Sequence, residues 1–269
     1  MVKRIRQDYS DKTEMVRARQ VAEEFLGLEF DEILRSGSEA NMIGIQSERV
    51  LFSQRLDSRT YFVQDNAYGL DKEAGVFRGT DEELFSMSHS IMERLHIPLS
   101  EIAEQTVLRE QIQAAEVIQK TGEVHLEEVQ EGKNYVSITR QIKKIPVWTS
   151  NMLVGFTQDK RIGFLQLHWP EIPKLIILEA RRMAYMVSQQ WSVPELRGAA
   201  VEAVEAGIIH SPAASLLMDI YPVVRVIYAP SEEGLGKKPV HYLDRHGQPV
   251  PFPRQAILPI KERLQRPAK

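Results

Sequence analysis

Three short runs in which apolar and polar residues alternate lie close together between residues 134 and 171: 135–142, 152–156 and 162–169. Alternation at period two puts every second side chain on one face, the pattern of a strand with one buried side. Thr157-Gln158-Asp159-Lys160 is a hairpin connection between the last two runs. The break at 143–146 lets the chain enter the sheet again as Val147-Trp148. The pattern predicts an antiparallel meander, around which the rest of the chain is arranged.

Before it, residues 12–28 read as a helix, with Val16, Val21, Ala22, Phe25 and Leu26 on one face and Gly27 near its end. A β pattern follows at 31–35, 42–45, 49–56, 60–63 and 75–78, with Ser36-Gly37-Ser38 as a turn. Thr80 with Asp81, Glu82 and Glu83 makes a capping box that opens a second helix, stopped by Pro98. Residues 104–118 fit neither period, and their second half is taken as strand. After the meander, Pro173 opens a helix over 174–191, and a further helix over 195–206 ends at Gly207. A long strand over 215–228 carries Pro222, the mark of an edge or bulge. A hairpin over 240–250 turns at Asp244-Arg245-His246-Gly247.

Helix followed by antiparallel strands thus recurs, with rounds beginning near Lys12, Thr80 and Lys174. The expected fold class is α+β: antiparallel sheets packed against helices, as tandem helix-plus-meander modules. The expected division is an N-terminal α+β module over 1–100 and a C-terminal one over 101–269, or one intimately joined unit.

Composition narrows the chemistry. The chain has no cysteine, which removes disulfides, thiolate nucleophiles and Cys-ligated metals. Net charge is -3 with no basic stripe, so nucleic acid is not an expected partner. No apolar run reaches the roughly 18 residues of a membrane span, and no apolar segment follows the basic residues at the start. The expectation is a cytoplasmic protein without a membrane span.

The segment Tyr135-x-Ser137-x-x-Arg140-x-x-Lys143-Lys144-Ile145-Pro146-Val147-Trp148 resembles the PepSY and FTP type of propeptide domain. That group carries an aromatic strand, an Arg or Gln, and a G-I-P-V-like turn before a strand–turn–strand. Ile145-Pro146-Val147 matches. Lys144 stands where the group has Gly, and the turn glycine is displaced to Gly163. The hairpin from Val240 to Val250, with Asp244 and Gly247 at its turn, resembles the group's last strands. The resemblance implies small α+β modules that bind or inhibit partners and rarely catalyse.

Four groups of residues carry candidate chemistry. Arg140 shares a strand face with Val136, Ile138 and Ile142, where a guanidinium needs a partner or a wet cavity. It is either an anion clamp or an edge Arg whose head reaches water. His168, Trp169 and Glu171 converge where a strand stops. There His168 is a candidate acid/base with Glu171 as its orienter, against Trp169 in the core with the other two in solvent. Asp219, Tyr221 and Arg225 share one face of the long strand, as a pocket lining or as its solvated side. His241, Asp244 and His246 have ligand chemistry but no metal-site spacing, so neither metal nor cofactor is expected.

Two functions follow. The first is a non-catalytic binding or regulatory protein recognising a peptide or protein partner through a sheet face or edge. The second is a cofactor-independent small-molecule enzyme (cyclase, isomerase or hydrolase), with Arg140, His168, Glu171 and Asp219 in a cleft walled by Trp148 and Trp169. An exposed edge at 215–228 would also serve a homodimer.

Overall fold

The computed structural model describes residues 11–30, 33–39, 42–55, 59–66, 68, 75–117, 124–189, 200–210, 220–229 and 238–250. It divides into two compact units, Met1–Thr139 with Asn151–Trp169 and Arg140–Ser150 with Pro170–Lys269.

The first unit opens with α1 (Asp11–Gln20), which runs on into a π-helical turn (Val21–Phe25). Gly27 ends it at a φ of +67°, where a side chain would be strained. The buried face is Ala18, Ala22 and Leu26, one turn apart, while Val16, expected inside, lies in solvent. Small side chains let this helix lie close to what it covers.

Four strands follow: β1 (Ile33–Glu39), β2 (Met42–Ser47), β3 (Val50–Arg55) and β4 (Thr60–Asp65), each antiparallel to the next. The expected turn Ser36-Gly37-Ser38 lies inside β1, with Gly37 opposite Gly44 of β2. The segment 75–78 is not a strand, although Phe77 donates its N–H to the Phe156 carbonyl at 2.9 Å.

Helix α2 (Asp81–Arg94) starts as the sequence demands. Thr80 Oγ1 accepts from the Glu83 N–H and Glu83 Oε2 accepts from the Thr80 N–H, closing the capping box. It buries Leu84, Ile91 and Met92. Strand β5 (Ile102–Ile112) takes the first half of the ambiguous segment as well as the residues before it, and pairs with β8 (Gln130–Ile142). Between them, β6 (Ala115–Val117) and β7 (Val124–Leu126) form a separate two-stranded ribbon. The meander continues through β9 (Ile145–Phe156) to β10 (Ile162–His168), which pairs with β9 on one side and β4 on the other. The core of this unit gathers Ile43, Phe52, Val63, Ile138, Val154, Leu165, Leu167 and Trp169 with the buried faces of α1 and α2.

The second unit holds the end of β8, the start of β9, α3 (Lys174–Ser188), β11 (Val201–His210), β12 (Ile220–Tyr228) and β13 (Val240–Leu243). Strand β11 runs parallel to β9 through Ile208 and Val147, and antiparallel to β12. Strand β12 pairs in turn with β13. Helix α3 lies over β11 and β12, with Ala180 and Met183 buried among Ile208, Ala206, Val224 and Val226. Pro222 lies beyond Val224, the last residue of β12 that β13 covers, so it sits at an edge. The C-terminal hairpin closes through the Val250 N–H to the Tyr242 carbonyl, 2.8 Å.

The expected α+β class is therefore wrong. Among the described residues the protein is mostly β, with three α-helices and a large mixed sheet rather than repeated helix-packed modules. One misread segment carries much of the error: residues 201–206, expected to end a helix, belong to β11. No helix of the described residues is long and apolar enough to cross a membrane.

Candidate functional site

The second unit places a row of large side chains across the sheet face opposite α3. Inward residues Val147, Ala206, Val224, Val226 and Leu243 go to the core, so their neighbours Trp148, Glu205, Arg225 and Tyr242 turn the other way. Cross-strand register sets Glu205 opposite Arg225 and Arg225 opposite Tyr242. The Arg225 guanidinium carbon stands 4.4 Å from the centroid of the Trp148 ring. Tyr242 meets the same indole edge-on at 5.8 Å.

Gly207 makes room for this row. A methyl group on it would come within 2.6 Å of Trp148 Cη2 and 2.9 Å of the Pro146 carbonyl oxygen. Arg225 Nη2 pairs with Glu205, while its buried Nε has no hydrogen-bond partner. That leaves the guanidinium held by charge on one side and by the aromatic face on the other. Burial pushes the Tyr242 phenol above its usual pKa, and the Arg225 charge and a hydrogen bond to Arg225 oppose that shift. Trp148, Arg225 and Tyr242 are half-buried, held in place yet within reach of a partner, and Glu205 is exposed.

A second polar group in this unit is closed to solvent. Arg140, Thr149, Ser150 and His210 are all buried. Arg140 Nη1 donates to the Pro170 carbonyl at 2.6 Å and to Ser150 Oγ at 3.3 Å. Ser150 Oγ lies 3.1 Å from His210 Nε2, and the His210 N–H reaches Thr149 Oγ1 at 2.9 Å. A hydroxyl beside an imidazole at this distance matches a nucleophile with its base. Both side chains are about 1% exposed, so reaction there would require this part of the unit to open. In the closed form the network satisfies buried polar groups.

The remaining candidates do not form one constellation. His168 Nδ1 lies 2.5 Å from Thr60 Oγ1, so a hydroxyl rather than the expected carboxylate engages that nitrogen. Trp169 is buried, with its Nε1–H donated to Glu101 at 2.9 Å. Glu171 is exposed. Tyr221 is exposed, four residues before Arg225 on the same face of β12. Asp219 lies outside the described residues. A shallow cleft of the first unit, lined by Gly27, Glu29, Arg49, Asp65 and Arg161, holds cations already paired: Arg49 with Asp65 at 2.8 Å and Arg161 with Glu29 at 2.9 Å.

Of the residues in these two groups, the sequence singles out Arg140, Trp148 and Arg225 and passes over Ser150, Gly207, His210 and Tyr242. Among these, only Gly207 carries a local signal, and in the sequence it reads as a helix end. Among the described residues no group of three or more His, Asp or Glu is arranged to hold a metal.

No protein-family model matches the chain, and no curated protein matches it. Among solved structures, the chain is similar to an uncharacterized protein from Eubacterium rectale ATCC 33656, at a TM-score of 0.46 and 10% sequence identity over 90% of this chain and 83% of that one.

Proposed function

We propose that the chain is a non-catalytic binding protein that takes a peptide or protein partner on the sheet face around Trp148, Arg225 and Tyr242, with Tyr221 at its margin. The observation that carries this reading is the Arg225 guanidinium stacked 4.4 Å over the Trp148 ring. Trp, Tyr and Arg are the side chains on which interface energy concentrates. Here they are ordered before a partner arrives, so binding loses little rotamer entropy. The PepSY-like segment, which ends at Trp148, supports the same class of role.

The test is binding to an array of immobilised peptides by the wild type, Trp148→Ala and Arg225→Ala. Peptides held by the wild type and weakened tenfold or more in both variants are expected, corresponding to about 1.4 kcal/mol or more. Equal binding by all three proteins would overturn the proposal. A metabolite that raises the melting midpoint of the wild type but not of Arg140→Ala would support the enzyme reading instead.

A further inference from the structure

The β6–β7 ribbon stands apart from the large sheet as a sheet of its own. Its base is tied by the Glu127 N–H to the Ala114 carbonyl, 2.9 Å, and by Gln113 Nε2 to the Glu127 carbonyl, 3.0 Å. A two-stranded ribbon is at best marginally stable in water. This one nevertheless leaves two apolar side chains of β7 in solvent. Val124 is 57% exposed and Leu126 65%, and at two residues' spacing they share one face of β7. Ile112 and Val129, beside the ribbon's base, are also more than half exposed. Four branched apolar side chains exposed on the ribbon and beside its base differ from the single exposed hydrophobics common on any surface.

Charge at the same place indicates the kind of partner. Glu127 and Glu128 follow directly after β7, both exposed and without an ion pair among the described residues. Glu110 and Glu131 lie nearby, with Glu131 bonded to Arg78. A second copy of the chain meeting ribbon to ribbon would bring two acidic patches into one small interface, which like-charge repulsion opposes.

We propose that the β6–β7 ribbon is a docking arm for a basic, amphipathic segment of another protein. The partner's apolar side chains cover Val124 and Leu126, and its Lys or Arg residues face Glu127 and Glu128. This surface belongs to the first unit and does not depend on the Trp148 face.

The test uses the full chain and two labelled model helices of one pattern, one of Leu and Lys and one of Leu and Glu, followed by fluorescence anisotropy. The Leu/Lys helix is expected to bind saturably and to weaken with added salt. Val124→Ser with Leu126→Ser, and separately Glu127→Lys with Glu128→Lys, are each expected to weaken it at least tenfold. The Leu/Glu helix is expected not to bind. Equal binding by wild type and both double variants, or equal binding of the two helices, would overturn the proposal. So would a wild-type dimer in sedimentation that the Ser variant abolishes, since the face would then join copies of the chain. Melting midpoints confirm that the variants are folded. Should the Lys variant not fold, Glu127→Gln with Glu128→Gln replaces it, with the same direction of change expected.

Discussion

The ring of Tyr68 fills the space that a side chain on Gly163 would need: a methyl group there would lie 2.3 Å from Tyr68 Cδ2. The same tyrosine closes off Gly155, whose methyl would fall 2.1 Å from its hydroxyl oxygen, and donates that hydroxyl to the Asn134 carbonyl at 2.6 Å. Burial pushes the Tyr68 phenol well above its usual pKa, with the nearby Tyr135 and Glu110 adding to the rise.

Gly163→Ala is therefore expected to cost about 1–3 kcal/mol, the range for overpacking a filled site. In a Tyr68→Ala background the same change is expected to cost much less. Denaturant unfolding of the four proteins of that cycle checks it, with a coupling of about 1 kcal/mol or more expected. Additive costs would mean that the two residues do not share the space.

Arg140 is expected to matter for stability rather than only for binding. Arg140→Met leaves the buried Pro170 carbonyl and Ser150 hydroxyl without their donor, and an unsatisfied buried group costs about 1–3 kcal/mol. A loss of about 2 kcal/mol or more is expected by urea unfolding. Arg225→Met, on a half-exposed face, is expected to lose less. A variant at Arg140 as stable as the wild type would show that water or a rearranged neighbour takes its place.

The β8–β9 turn carries two lysines in the left-handed region, Lys143 at a φ of +51° and Lys144 at +69°. Two such residues in sequence suit the right-handed twist of a hairpin, but each strains any side chain with a Cβ. Lys144→Gly is expected to stabilise the protein by about 0.5–1 kcal/mol, read as a higher melting midpoint. Lys144→Val is expected to do the reverse.

Asp159 is held below the usual carboxylate range chiefly by the Thr157 hydroxyl, whose hydrogen bond it accepts at 2.5 Å; burial opposes that shift, and the Arg161 charge adds to the lowering. A depressed folded value means that its contribution to stability is complete above the ordinary Asp value of about 3.9 and is lost as pH falls through the folded value. Thr157→Val is expected to move the Asp159 carboxyl titration upward in NMR. No movement would assign the shift to Arg161.

Local signals in the sequence locate the starts of α2 and α3 and the turns of the β9–β10 and C-terminal hairpins. Thr80 and Glu83 announce α2 because a capping box needs nothing from the rest of the fold. The meander was readable for a similar reason, since alternation and turn residues act within a few positions. Residues 201–206, Val-Glu-Ala-Val-Glu-Ala, contain helix formers at near-helical spacing, yet β9 on one side and β12 on the other draw β11 into the sheet. Propensity lost there to tertiary pairing. The site follows the same division. Arg140 stood out as a charge among Val136, Ile138 and Ile142, whereas His210 and Ser150, sixty residues apart, meet only through the fold.

The pairing of β4 with β10 sets a schedule for synthesis. Phe164 lies opposite Gln64, a hundred residues earlier in the chain. At about 5–20 residues per second, β4 emerges some 5–20 s before its partner exists. Over that interval its outer hydrogen-bonding edge, carrying Tyr61 and Val63, is open to any other strand. Nascent chains are therefore most exposed to mispairing after residue 65 has emerged and before residue 168 has, which is the interval in which a chaperone would matter most to this protein.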